Sequence, residues 1–345
     1  VSVVMIEDLA PESRDAGVPA HFGDPLREQR LLATEAGLVD RGNRGVLAIP
    51  GADRLSWLHS ISTQHLTALR PGQGTETLFL SPHGHIEHHA LVTDDGETTW
   101  LDVEPGTQSD LLAFLEKMRF LMRVEPADVT ASWAVLSLVG PAAAKIVELP
   151  APAIAPVPGP KFTAGSVPPL PTSLYAVQPA FGGWARRGEF GVDLLVPRDA
   201  VDAVADELDV PRAGLWAYES MRVEARRARL GLETDHRTLP AEVDWTADAV
   251  HLEKGCYRGQ ETIARVHNLG RPPRRLALLH LDGIATDQLP AQGTPVSADG
   301  RAIGFVGTAV QHHELGMIAL ALLKRNISDE TPLMVGESVA AIDPE

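Results

Sequence analysis

The 345-residue chain has a single cysteine, Cys256. An internal disulfide is therefore excluded, which suits a reducing compartment. Aromatic residues are scarce at 5 %, and no stacking-platform motif for single-stranded nucleic acid is present. Positive charge is in deficit, with 30 Lys and Arg against 46 Asp and Glu, a net charge of −16. A protein built to neutralise many phosphates would not be this acidic overall. Direct nucleic-acid binding is not expected. No apolar run reaches the roughly 18 residues of a membrane span, so no membrane partner is expected either. Glu7, Asp8 and Glu12 stand where a secretory signal would carry cations before an apolar stretch. These absences predict a cytoplasmic protein.

Hydrophobic residues make up 44 % and charged residues 22 % of the chain, enough to build a sizeable core. At roughly 100–200 residues per domain, two or three domains are expected. Charge is uneven. Residues 254–275 carry a local +5 and residues 222–230 a local +3. Two basic islands in an acidic chain could gather an anion, or could simply be solvated faces.

Asp24 followed by Pro25 reads as the cap and first position of a helix over 25–37. A strand at 45–49 leads through Gly51-Ala52-Asp53 into a second helix ending near 61. Strands are expected at 76–81, 85–93 and 98–103, then an amphipathic helix over 111–118. Further strands are expected near 121–130 and 132–139, with a short helix after Pro141. Eight prolines in residues 149–171 exclude helix and central strand, so this stretch reads as an exposed extended connection. Strands at 172–178 and 190–196 and helices at 198–208 and 212–229 follow. From Arg274 onward, short apolar runs separated by Gly, Pro and Asp suggest a small antiparallel β unit. The fold class is α+β with a compact β domain at the C-terminal end.

The octapeptide Lys254-Gly255-Cys256-Tyr257-Arg258-Gly259-Gln260-Glu261 carries the densest chemistry. Gly255 and Gly259 permit backbone geometries closed to other residues. Lys254 and Arg258 flank the thiol, and nearby cations favour the nucleophilic thiolate. Gln260 and Glu261 could orient a polar ligand. On composition alone this is a plausible reactive-thiol loop, set against the ordinary use of cysteine as a small buried hydrophobe.

The string Lys-Gly-Cys-Tyr-x-Gly-Gln-Glu, with Ala264-Arg265-Val266 after it, resembles the signature of the YgfZ and mitochondrial iron–sulfur assembly factor family. That family is a branch of the glycine-cleavage T-protein, or aminomethyltransferase-like, superfamily. The resemblance extends to Gly51-Ala52-Asp53, Gly84, Val223-Glu224-Ala225 and Arg274-Arg275-Leu276, and covers roughly residues 35–340. It implies a three-domain ring: an α+β part over 20–140, a second over 141–250 completing a folate cavity, the motif segment at 251–273, and an antiparallel β-barrel over 274–345. It also implies a tetrahydrofolate-binding accessory protein for iron–sulfur client enzymes, including tRNA-modifying radical enzymes, with Cys256 as the residue the family depends on. The alternatives are a folate-dependent one-carbon transferase or demethylase, and an interaction protein using a basic patch.

By the same resemblance Glu224 falls where a helix-borne glutamate holds the pterin, and Tyr218 where an aromatic packs on folate. Arg44 replaces another aromatic, and its guanidinium could stack on a ring face. His88 and His89 occupy the place of the catalytic aspartate of T-proteins. A histidine pair does not supply the same fixed negative charge, so classical aminomethyl transfer is not expected. Residues 83–89 place His83, His85 and His89 on one strand face. Three imidazoles could hold a metal, but residues i and i+4 on a strand lie nearly 14 Å apart. No permanently bound metal is expected.

Overall fold

The structure, a computed structural model, describes residues 2–148, 175–284, 286 and 288–344. The proline-rich stretch at 149–171 and the first residues of the strand expected at 172–178 lie outside them. Two sheets and a barrel organise the described residues, beside a small two-stranded pairing near the start.

The first sheet has five antiparallel strands in the order Gln73–Leu80, Ile86–Asp94, Thr98–Val103, Gly45–Pro50, Ala127–Asp128. Its strands alternate because one face is core and the other is not. Phe79, Ala90, Val92, Leu101 and Leu47 pack with Trp57 and Leu58 of the Arg54–Ile61 helix. Leu111 and Leu115 of the Gln108–Arg119 helix join the same cluster. Burying each such side chain stabilises the fold by roughly 1.5–3 kcal/mol. Only Ala127–Asp128 of the region near 121–130 becomes a strand, because Phe120 adopts a left-handed φ of 46° and its neighbours turn outward.

The second sheet runs Val177–Ala180, Gly183–Gly188, Gly191–Pro197, Trp133–Val139, Gly37–Asp40, Arg212–Ala213. The last pair is parallel. This sheet draws strands from both sides of position 140, so the parts expected over 20–140 and 141–250 share it. The Gly183–Gly188 strand is absent from the sequence expectations; Arg186 and Arg187 interrupt its apolar pattern. At the helix over Pro25–Thr34, Asp24 accepts the Arg27 amide at 2.9 Å, as its capping position predicts.

The C-terminal strands close into a six-stranded antiparallel barrel. Ala277, Leu279, Ala319, Ala321 and Leu323 fill its interior. The intervening Leu276, Leu278, Ile318 and Leu320 face outward against Val223 of the Leu215–Glu224 helix. Burial on both faces explains the near-continuous apolar runs. The helix expected to reach Arg229 stops at Glu224, because Arg226 takes a left-handed φ of 55°.

The turn at 81–85 docks on the motif segment through two glycines. A Cβ at Gly259, whose φ is +82°, would lie 2.6 Å from the Ser81 carbonyl and 2.8 Å from Gly84 Cα. A Cβ at Gly84 (φ +80°) would lie 2.7 Å from Thr262 Cβ. A Cβ at Gly255 would meet nothing within 4 Å. Gly259→Ala is therefore expected to destabilise the protein by about 1–3 kcal/mol. Gly255→Ala should fall within about 0.5 kcal/mol of wild type. Urea denaturation of both variants checks this; equal midpoints would refute the packing account.

Candidate functional site

A central cavity of about 100 Å³ opens between the two sheets. From the first sheet it takes Glu76, His89 and Leu91; from the second, Ser137, Val139 and Val192. The alternation that sends Ala90 and Val92 to the core sends His89 and Leu91 to the cavity. Tyr218, Arg41, Arg44, Glu104, Arg229 and Trp245 complete much of the wall.

The wall is a lattice of buried charges. Arg44 reaches Asp102 at 2.8 Å and Glu104 at 3.2 Å. Arg229 reaches Glu104 at 2.8 Å, Asp15 at 2.7 Å and Glu219 at 3.3 Å. Arg186 bridges Asp102 at 2.7 Å and Asp193 at 3.1 Å. Burial alone would raise the Glu104 carboxyl, but Arg229 and Arg44 outweigh it and hold it well below the carboxylate range. Removing one member of such a lattice leaves a buried unpaired charge, at a cost of roughly 3–5 kcal/mol. The basic island at 222–230 is consumed here and nearby: Arg222 pairs with Glu219 and Glu233, Arg226 with Asp343, and Arg227 with Glu189 and Asp248. It is an internal scaffold rather than a solvated face.

The predicted folate residues divide. Tyr218, Arg44 and His89 line the cavity; Glu224 and His88 do not. Tyr218 packs edge-on against Phe190 at 5.7 Å, and the Arg41 guanidinium lies 4.3 Å over its ring. The Arg44 guanidinium is engaged by Asp102 and Glu104, while Arg41 covers the Tyr218 ring. Glu224 requires correction. At 3.6 residues per turn, it lies about 240° around the helix from Tyr218, whereas Arg222 lies only about 40° away. Arg222 therefore joins Tyr218 in the cavity wall, and Glu224, 50 % exposed, turns to His312 of the barrel at 3.3 Å.

His88 points to the opposite face of its strand, with Phe79 at 6.4 Å and Phe114 at 6.0 Å between ring centres. Burial lowers its pKa to about 4. His83 and His85 lie close, at 6.1 Å between rings, on the turn preceding the strand. A register shift near Leu80 and the turn at Gly84 separate them from His89. Among the described residues, no group of three or more His, Cys, Asp or Glu is arranged to hold a metal ion.

The octapeptide sits outside the cavity wall. Lys254 is buried, and its Nζ donates to the carbonyls of His59, Ser62 (2.5 Å) and Gln64 (3.1 Å) at the C-terminal end of the Arg54–Ile61 helix. A cation there complements the helix dipole, while burial lowers its pKa to about 7. Gln260 accepts the Tyr257 amide at 3.1 Å, and Arg258 pairs with Glu87 at 3.1 Å. Cys256 and Gly255 are exposed, and Glu261 starts the Gln260–Leu269 helix at the surface. Tyr257 belongs to the apolar cluster that contains Trp245, and Trp245 lines the cavity. That shared cluster is the physical link between the thiol loop and the cavity.

Sequence reasoning missed Glu76, Arg41, Tyr175, Trp245, Glu104 and Arg229. Glu76 stands among Gly74, Thr75 and Thr77, so no local pattern marked it.

A family profile described as the GCVT N-terminal domain matches residues 18–254, more than half of the chain. The chain belongs to the GCVT family. A profile described as the CAF17 C-terminal beta-barrel domain matches residues 274–345. Relatives within reach of this family assignment include an aminomethyltransferase of Geobacillus kaustophilus, 28 % identical over 326 residues, covering 90 % of this chain and 85 % of that protein. An aminomethyltransferase of Nostoc is 27 % identical over 330 residues, covering 90 % and 83 %. In the solved structure of glycine cleavage system aminomethyltransferase T from Bartonella henselae, the fold superposes with a TM-score of 0.76 at 20 % identity, covering 95 % of this chain and 90 % of that one. The aminomethyltransferase-like fold with a C-terminal antiparallel barrel, read from the motif, is the fold observed. No helix among the described residues is long and apolar enough to cross a membrane.

The buried His88 makes stability depend on pH. Its unfolded pKa is about 6.5, above its folded value of about 4. The unfolded chain therefore binds the extra proton, and stability falls as pH drops through this window. Thermal melts between pH 6.5 and 4.5 are expected to show this fall, and His88→Leu should flatten it. Parallel slopes in the two proteins would refute the assignment.

Proposed function

We propose that the central cavity binds a reduced folate and that the protein serves as an accessory factor for assembly or repair of iron–sulfur enzymes, tRNA-modifying radical enzymes among them. The observation that carries the folate reading is the cavity wall itself: the aromatic rings of Tyr218 and Trp245 beside fixed carboxylates and guanidiniums. A pterin edge presents adjacent N–H donors, which a carboxylate accepts well. Glu189 suits that task better than Glu224. It lines the cavity and gives one oxygen to Arg227 at 2.6 Å, and its side chain, 40 % exposed, stays open to a ligand. Partial burial raises its pKa. Tyr218, Trp245 and Glu189 would hold the ring, and the folate would supply one-carbon chemistry or simple occupancy.

The accessory reading draws on the motif around Cys256, on the barrel match, and on the absence of a carboxylate at His88 and His89. The names of the relatives favour a second reading, a one-carbon transferase or demethylase, tested by turnover of a methylated amine to methylene-tetrahydrofolate. Of the basic island, Arg258, Arg274 and Arg275 pair with Glu87, Asp235, Glu242 and Asp329, which leaves the exposed Arg265 and Arg271 to the basic-patch reading.

Calorimetry with tetrahydrofolate is expected to give a Kd in the micromolar range, on the order of −8 kcal/mol. Tyr218→Ala should weaken it about tenfold, and Glu224→Ala should leave it unchanged. Absence of heat with any reduced folate would overturn the folate reading. Loss of client-enzyme activity in a Cys256→Ala strain tests the accessory role separately.

A further inference from the structure

We propose that His89, oriented by Glu76, is the proton-exchanging group of the cavity, accepting a proton from an N–H of a bound planar heterocycle and returning it. The inference rests on the reading of the cavity as a ligand site. Glu76 stands on the Gln73–Leu80 strand, diagonally across from His89 on the same face, since Leu78 pairs with His89 and Glu76 with Leu91. Glu76 Oε2 lies 2.9 Å from His89 Nε2. Burial would raise the Glu76 carboxyl, but the hydrogen bonds from His89 and Tyr175 and the nearby Arg227 guanidinium outweigh it and hold it ionised. An ionised carboxylate only accepts hydrogen bonds, so His89 Nε2 must carry the proton.

That fixes the other nitrogen. In the neutral ring Nδ1 holds a lone pair, and it has no protein partner among the described residues while the ring lines the cavity. The indole of Trp245 stacks on the imidazole at 4.4 Å and 21°, which holds the ring plane. The remaining groups around the pair are also fixed. Tyr175 donates its hydroxyl to Glu76 Oε1. Arg227 lies 3.6 Å from the same carboxylate and is itself held by Glu189 and Asp248. Glu76 is thus a positioning residue, and His89 the group that meets the ligand.

The exchange balances without an outside reactant. The ligand N–H bond breaks, its electron pair stays on the ligand nitrogen, and the proton forms a bond to Nδ1. The resulting imidazolium is stabilised by Glu76. A negative charge fixed on a strand is thereby replaced by a neutral base with a carboxylate behind it.

Two measurements test this. Nitrogen-15 NMR of imidazole-labelled protein, with His89→Gln to assign the resonances, should show the neutral ring protonated on Nε2. Glu76→Gln should populate the Nδ1-protonated tautomer, a change that simple loosening of the strand would not give. A neutral wild-type ring protonated on Nδ1 would overturn the proposal. Nitrogen-15 NMR of the protein saturated with tetrahydrofolate should show the His89 Nδ1 resonance move toward its protonated position, because the proton passes from ligand to ring within the complex. His89→Gln should bind less than about tenfold more weakly. A His89 Nδ1 resonance unchanged on saturation would overturn the proposal. No binding of any reduced folate, with the Nε2 tautomer and its response to Glu76→Gln intact, would overturn the folate reading and uphold the oriented base.

Discussion

Glu104 receives Arg44 at 3.2 Å from one side and Arg229 at 2.8 Å from the other, and both arginines go on to further carboxylates. Through this one residue, the loop after the Gly37–Asp40 strand is joined to the end of the Thr98–Val103 strand of the first sheet and to the segment leaving the Leu215–Glu224 helix. Asp15 near the start of the chain joins the same arginine. Charges buried this way contribute little net stability compared with apolar packing, since each had to leave water. Their effect is positional. A carboxylate bound by two guanidiniums tolerates only a narrow range of strand placements, so the lattice sets how the sheets face each other, and with that the cavity between them.

The same lattice explains why the Leu215–Glu224 helix ends early. Continuing it would turn Arg227 to the side of the helix opposite Tyr218, away from Glu76, and would carry Arg229 about two turns beyond Arg222 along the axis. The left-handed turn at Arg226 instead delivers both into the cavity wall. Ion pairing among buried groups decides the local backbone here against the ordinary helix preference of an Ala- and Arg-rich run.

Much of the fold is legible in the sequence because its signals are local. Asp24 and Pro25 mark a helix start, alternation marks the strands of the first sheet, and apolar runs mark the barrel. The Gly183–Gly188 strand was hidden because its arginines serve buried carboxylates, which no local pattern reveals. The motif around Cys256 was legible as a string, but its workings were not. Lys254, read as an activator of the thiol, closes the end of a neighbouring helix, and Gly259 makes room for a turn. Of the residues read as folate contacts, Tyr218, Arg44 and His89 line the cavity, while Glu224 faces His312 of the barrel. Resemblance assigns a residue to a column, while the helical angle decides which side it faces. Glu76 was invisible because its meaning comes from His89, thirteen positions away on the adjacent strand.

Trp245 lines the cavity, stacks on His89 there, and shares its apolar cluster with Tyr257, next to the exposed thiol. An indole stacked on an imidazole is an optical reporter already built into the molecule. Its emission responds when the ring beside it gains a charge, and also when the packing beneath it shifts. Events at the cavity and events at the motif loop therefore converge on a single chromophore. Because the chain has six tryptophans, a version with the others replaced by phenylalanine isolates both events in one signal.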